Sequence, residues 1–280
     1  MIGAIIGDIV GSRFEFNNHL SKNFKFFKDD ISSYISAKAC RFTDDTVMTC
    51  AVAESLMRSA PNGYKDLSDV AVETMHEIGR HYPTCGYGGK FFHWMLGDDW
   101  RPYNSCGNGS AMRISAVGDV ASSVEEAKQL AHAVTAITHN HPEGLKGAEA
   151  AAVAKVLLKQ GMSKEDLRRY IESNYYELPM TVKEYREACN GHGKEICQVT
   201  MPQAFTCFFE GESFEDVIRN CISIGGDSDT IAAIAGGIAE AYYPVPDWMK
   251  FEARCYLSKE LLYIVDKWDA FLRKGGIQCA

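Results

Sequence analysis

Two short runs of acidic and hydroxyl residues stand where chemistry could be done. In one, Thr43, Asp44, Asp45 and Thr46 precede apolar positions at Met48, Val52 and Leu56; in the other, Asp227, Asp229 and Thr230 precede Ile231, Ile234, Ala235, Ile238 and Tyr242. Apolar recurrence at three and four residues predicts a helix after each run. Asp and Thr at a helix start serve as ordinary caps and interact with the positive end of the helix dipole. The second helix, however, is apolar almost all round and carries Gly236 and Gly237 in its middle. It is expected to run through the core and to bury its first turn. Carboxylates held there raise one another's pKa and resist ionisation unless a cation neutralises them. The same construction occurring twice in one chain favours metal over capping.

Carboxylate and hydroxyl oxygens with no histidine or cysteine beside them suit hard cations, Mg²⁺ or Mn²⁺ rather than Zn²⁺. The spacing is not that of a twelve-residue calcium loop. With Glu15, the candidate carboxylates are Glu15, Asp44, Asp45, Asp227 and Asp229. Two divalent ions nearly balance that charge, and a metal pair chelates substrate oxygens and activates water. A further candidate is the turn Gly107-Asn108-Gly109-Ser110, whose backbone N–H groups could face an anion, with a helix expected to start at Ser110. Arg113 has two open roles, phosphate contact or bracing of the acidic groups. His139 and His141 lie just before Pro142, a residue suited to the first turn of a helix. The remaining histidines, His19, His76, His81, His93, His132 and His192, have no such context and are read as structural or surface groups.

The elements that must position these residues are helical. Val124, Ala127, Leu130, Ala131, Val134 and Ile137 follow the capping pattern Ser123-x-x-Glu126. Pro142 opens an Ala-rich helix that Gly161 ends, and Ser163-x-x-Asp166 and Ser213-x-x-Asp216 open two more. Leu261, Leu262, Val265, Trp268, Phe271 and Leu272 form an apolar stripe near the end. Gly3, Gly7 and Gly11 make one smooth helix face on which another backbone can lie closely. Long alternating strand patterns are missing. The stretch from Tyr175 to Gln198 reads as an irregular excursion and as the region of greatest expected mobility.

The chain has 280 residues, 46% hydrophobic and 24% charged, enough for a substantial core, with no linker-like stretch. One domain over residues 1–280 is expected. The net charge of -8, without a basic cluster, argues against general nucleic-acid binding. Ten scattered cysteines contain no C-x-x-C pair, which excludes a zinc ribbon and suggests reduced, buried thiols. The opening MIGAIIGDIVG lacks a basic leader region and is interrupted by Asp8, and no apolar run reaches membrane-spanning length. These features lead to the expectation of a cytoplasmic protein without a membrane partner, a monomer, with a dimer as the alternative.

GDIVGSRFEF, FTDDT, SCGNGSAMRISAVG, ITHNHPEG and GGDSDTIAAIAGGIAEAYY, in that order, resemble the ADP-ribosylglycohydrolase family, also called dinitrogenase-reductase-activating glycohydrolases, over nearly the whole chain. The resemblance implies an all-α, compact orthogonal helical bundle. It also implies hydrolysis of the N- or O-glycosidic bond between ADP-ribose and an acceptor, with ADP-ribose conjugates as partners and a binuclear Mg²⁺ or Mn²⁺ centre as cofactor. Carried over residue by residue, the metal ligands fall on Thr43, Asp44, Asp45, Asp227, Asp229 and Thr230. Catalytic roles fall on Asp45 and on Glu15, the latter as a gating or acid/base group close to the metals. Substrate contacts fall on Gly107, Asn108, Gly109, Ser110 and His139. Asp8 belongs to the same pattern, as a site residue or as a structural group inside a helix. One departure concerns an acidic residue that several members carry between the first metal motif and the Gly-rich turn. That stretch here reads YPTCGYGGKFFHWM, with no acid until Asp98 and Asp99 beside Trp100, so the leaving-group acid and the acceptor stay open. Tyr87, Gly88, Phe91 and Trp94 either line an adenine or acceptor pocket or belong to the core. Two other readings are a non-catalytic ADP-ribose-binding or structural protein on the same fold, and a Mg²⁺-dependent enzyme of prenyl diphosphates. The last expects D-D-x-x-D, whereas this chain has Met48 at the final position.

Overall fold

The computed structural model describes residues 1–27, 39–188 and 194–275. Among them are fifteen α-helices and no strand. In chain order they are α1 (Ile2–Gly11), α2 (Asp44–Ser59), α3 (Leu67–Gly79), α4 (Gly89–Leu96), α5 (Gly109–Met112), α6 (Ser115–Val120), α7 (Val124–Thr135) and α8 (Pro142–Lys159). There follow α9 (Lys164–Asn174), α10 (Val182–Ala188), α11 (Cys197–Glu210), α12 (Phe214–Ser223), α13 (Ser228–Ala239), α14 (Asp247–Tyr256) and α15 (Lys259–Arg273). An isolated antiparallel bridge joins Gly107 to Ile196.

Local signals explain most of the boundaries. Ser123, Ser163 and Ser213 each accept a hydrogen bond from the amide three residues on, Glu126, Asp166 and Asp216, at 3.1 Å in every case. Each such cap satisfies a donor that the helix itself leaves unpaired and contributes about 1 kcal/mol. Pro142 occupies the first turn of α8, and His141 caps it by accepting the Glu143 amide. The excursion expected between Tyr175 and Gln198 is in part helical. It contains α10, and Cys197 already begins α11, while residues 189–193 lie outside the described residues. Glu184 supplies a local reason for α10, since its carboxylate accepts both the amide and the hydroxyl of Thr181 at the helix start.

α13 is the axis of the bundle. Every residue from Ser228 to Ala239 is buried, as its nearly all-apolar sequence requires. Against it lies α1, through the three glycines. A Cβ on Gly3 would fall 2.3 Å from the Gly236 carbonyl oxygen, on Gly7 2.1 Å from that of Ala232, and on Gly11 2.4 Å from the Asp229 Cα. Only hydrogen fits in such a seam. On its other flank α1 packs against α2. One glycine-faced helix therefore sits between the two helices that begin with acidic runs, and brings their N-termini to one end of the bundle.

Candidate functional site

α1 contributes a carboxylate to this junction. Asp8 is fully buried and accepts four donors from the start of α2. These are the Thr43 amide (2.9 Å), the Thr43 hydroxyl (2.7 Å), the Thr46 amide (3.1 Å) and the Thr46 hydroxyl. Burial holds its pKa above the usual carboxylate value, and these hydrogen bonds oppose that rise. Of the two roles open to Asp8, the structural one is what its contacts describe. Thr43 caps α2 in the ordinary way, its side chain accepting from the Asp45 amide. Asp44 and Asp45 are thereby free of capping duty. At α13, Asp227 stands at the cap position and makes no side-chain cap bond. Ordinary capping therefore does not account for these carboxylates. Both glycines before Asp227 adopt left-handed backbone, φ +73° at Gly225 and +77° at Gly226, which makes the sharp turn into the helix.

The two acidic starts meet in one cleft of about 280 Å³, lined by Glu15, Asp44, Asp45, Asp227, Asp229 and Thr230 among others. Single carboxylate oxygens of Glu15, Asp227 and Asp229 all lie within 4.8 Å of one another. Thr230 reaches across to Asp45, donating to Oδ1 at 3.3 Å. The other oxygen of Asp45, Oδ2, is buried with no hydrogen-bond partner among the described residues. Burial pushes the whole set upward, alone at Asp227 and together with repulsion at Glu15, to about 7 with Asp227 as the leading charge, and at Asp44, to about 8 with Asp8 as the leading charge. Asp45 and Asp229 are held well above the ordinary carboxylate range for the same reasons. An orphaned carboxylate oxygen amid crowded, oxygen-only donors is what a hard divalent cation satisfies. The residues present fit that group. Thr43 differs from its five companions: its hydroxyl donates to Asp8 and accepts the Asp45 amide, which leaves a single lone pair.

Opposite the acids lies the Gly-rich turn. Its helix, α5, is one turn long and begins at Gly109 rather than Ser110. Three of its amides are used within the protein: Gly107 to Ser105 Oγ, Asn108 to the Glu195 carbonyl, and Ser110 to the Gly107 carbonyl. The expected row of amides facing an anion is thus reduced, by local bonds at Gly107 and Ser110 and by pairing of Asn108 with the segment before Ile196. Asn108 instead braces the acidic centre, donating from Nδ2 to Asp227 Oδ2 at 2.5 Å and to Thr200 at 3.0 Å. The Ser110 hydroxyl points inward to the Gly107 carbonyl and Cys197. His139 lines the cleft, whereas His141 is the α8 cap.

Arg113 lines the cleft, and of its two expected roles its described bonds do not include bracing of the acidic groups. It is fully buried and donates to Thr138 Oγ1 and to the Val134 carbonyl. Asp98 and Asp99 do not line the cleft, and Asp99 forms an exposed pair with Arg101. The acid on that side is Glu195, whose charge also raises the Glu15 pKa. Composition alone does not single out Glu195. Its position follows from the bridge that ties Ile196 to Gly107, a contact between distant segments. Gly88 and Phe91 line the cleft, while Trp94 packs on His76 with ring centres 4.4 Å apart. Cys50, Cys85, Cys106, Cys197, Cys207, Cys221 and Cys255 are free thiols, and Cys189, Cys279 and His192 lie outside the described residues.

Fold and cleft together define an all-helical protein whose oxygen-only acidic centre is assembled from two helix starts beside a Gly-rich turn. A family model for ADP-ribosylglycohydrolases matches residues 1–257, and the chain belongs to that family. It is 27% identical to human ADP-ribosylhydrolase ARH3, over 94% of this chain and 90% of that one. It is 26% identical to the ADP-ribosyl-[dinitrogen reductase] glycohydrolase of Rhodospirillum rubrum, over 88% and 85% of the two chains. A solved ADP-ribosylglycohydrolase-related protein complex shares the fold at TM-score 0.67 and 21% identity, covering 94% of each chain. The all-α expectation holds, and the activity is that of the family, hydrolysis of the glycosidic bond joining ADP-ribose to an acceptor.

Proposed function

We propose that this protein releases ADP-ribose from ADP-ribosylated conjugates with the help of two divalent cations, Mg²⁺ or Mn²⁺, held by Asp44, Asp45, Asp227, Asp229 and Thr230 with Thr43 behind them. The observation that carries the reading is the unpartnered, buried Asp45 Oδ2 in a cleft shared by both acidic helix starts. When bound, such cations supply Lewis-acid polarisation and lower the pKa of a coordinated water. The chain's own residues supply the rest. The conjugate enters with its ribose toward the carboxylates and its diphosphate toward Gly107, Asn108 and Gly109, where His139 offers a hydrogen bond. Asp45 and Asp229 are buried, so their charges act on the bound ribose with little screening by solvent. Glu15 is half-buried beside Asp227 and Asp229 and takes the proton of the attacking water on its carboxylate oxygen. The bond from the anomeric carbon to the acceptor breaks, water oxygen replaces it, and the acceptor leaves with the proton that Glu15 took from the water. Free thiols suit a reducing, cytoplasmic setting and a monomer needs no partner to complete this cleft.

The test is release of ADP-ribose from arginine-linked, serine-linked and nucleic-acid-linked conjugates with added Mg²⁺ or Mn²⁺. Cation-dependent release that disappears in an Asp44→Ala/Asp229→Ala variant supports the reading, and undiminished release by that variant removes it. ADP-ribose binding without cleavage of any conjugate would instead identify a non-catalytic binding protein.

A further inference from the structure

A buried guanidinium without a carboxylate partner is expensive, because desolvation costs several kcal/mol that only good hydrogen bonds offset. Among the described residues Arg113 is such a group. It has 0% exposure, and its described bonds reach two neutral oxygens, Thr138 Oγ1 at 2.7 Å and the Val134 carbonyl at 3.4 Å. Thr138 is also fully buried, and its Oγ1 lies 2.8 Å from Nδ1 of His139.

The proton positions follow from what each group is able to donate. A guanidinium has donors only, so Thr138 Oγ1 accepts from Arg113. Were Nδ1 protonated as well, the threonine hydroxyl would receive two protons and leave its own without an acceptor in a dry site, at the cost of an unmade hydrogen bond. A directed chain satisfies the threonine hydroxyl and the imidazole Nδ1, although Arg113 Nε has no partner among the described residues: Arg113 donates to Thr138, Thr138 donates to His139 Nδ1, and the imidazole proton resides on Nε2. That nitrogen is the end of the ring at the cleft. Cβ atoms built on Gly107 and Gly109 would lie 3.5 and 3.3 Å from it, so side chains there would crowd it. From behind, Gly144 in the first turn of α8 lets the helix backbone press on His139, where a Cβ would meet its carbonyl oxygen at 3.0 Å and its Cβ at 3.1 Å.

We infer that Arg113 and Thr138 are positioning residues that lock His139 as the neutral Nε2–H tautomer and present one fixed donor to an oxygen of the ligand in the cleft. Burial and the neighbouring Arg113 charge, which keep His139 well below its ordinary pKa, agree with the neutral form. The identity of the ligand as an ADP-ribosyl group rests on the function proposed above, whereas the tautomer is a property of the free protein.

The experiment is long-range ¹H–¹⁵N NMR on the unliganded, ¹⁵N-histidine-labelled full chain at about pH 7, where an unconstrained imidazole is largely neutral. Wild type is expected to show an unprotonated Nδ1 and a protonated Nε2 at His139. Thr138→Val, which keeps the shape and removes the hydroxyl, is expected to lose that signature and to bind ADP-ribose about 5- to 10-fold more weakly with cation binding unchanged. Thr138→Ser is expected to restore both. A protonated Nδ1 in wild type overturns the relay, as does a Thr138→Val protein that keeps the wild-type signature. Should Thr138→Val not fold, the wild-type spectrum alone decides. A wild-type signature in a protein that binds no ADP-ribose would overturn the ligand assignment while the relay stands.

Discussion

Thr43 gives both its amide proton and its hydroxyl proton to Asp8, at 2.9 and 2.7 Å, although Asp8 lies one helix earlier in the chain. A carboxylate from α1 therefore secures the first turn of α2 from outside, and leaves Asp44 and Asp45 directed at the cleft. An asparagine in place of Asp8 has one acceptor oxygen and sets an NH₂ against donors. Asp8→Asn is expected to destabilise the fold by about 1–3 kcal/mol. Relief of the repulsion that Asp8 exerts on Asp44 and Asp45 reduces the loss without reversing it. Chemical denaturation of the two proteins checks this, and equal midpoints would count against the clamp.

The glycine seam between α1 and α13 sets where Glu15 meets Asp229. Gly7→Val would drive a methyl group into the Ala232 carbonyl, which belongs to a buried helix backbone and cannot swing aside. The expected cost is at the upper end of the about 1–3 kcal/mol typical of overpacking. ADP-ribose release should fall with it, because the displaced helix carries Asp8 and leads into Glu15. A melting temperature and a rate measured on the same preparation would show both effects.

The cation-free protein should become less stable as pH rises. Glu15 is raised from 4.5 to about 7 and Asp44 from 3.8 to about 8, so between those values the folded chain holds protons that the unfolded chain has released. Their stabilising contribution is complete below the unfolded pKa and is lost as pH climbs through the folded one. Melts of chelator-treated protein from about pH 5 to about pH 8 should show a declining midpoint. Added Mg²⁺ or Mn²⁺ should flatten the decline and raise the midpoint with concentration, since it binds only the folded state.

Gly86 stands beside Asp44 with φ +123°, and a Cβ there would fall 2.9 Å from Asp44 Oδ1. Gly86→Ala combines backbone strain with pressure on a proposed ligand. Mn²⁺ affinity is expected to drop about tenfold, the equivalent of roughly 1.4 kcal/mol. Calorimetric titration of the variant measures it.

Helices and their starts were legible because the physics that makes them is local. Serine caps, the small face of α1 and the apolar stripe of α15 each operate within a few residues of sequence. The two acidic runs were legible for a related reason, since buried carboxylates at a helix start demand an explanation from the sequence itself. What escaped depends on contacts between distant segments. Nothing local says that Arg113 bonds Thr138, that Asn108 holds Asp227, or that the bridge between Gly107 and Ile196 brings Glu195 to the cleft. The Gly-rich turn was legible as a turn, but the fate of the Asn108 amide depended on that bridge.

The central claim is that the acidic centre is a divalent-cation site built from both helix starts. Its most direct measurement is the stoichiometry of Mn²⁺ binding to chelator-treated full chain by equilibrium dialysis. The wild-type protein should bind two ions per chain, and an Asp45→Asn/Asp229→Asn variant, which retains the shape of both side chains, should bind at most one and weakly. A wild-type protein that binds none, or a variant that binds two as tightly as wild type, would contradict it.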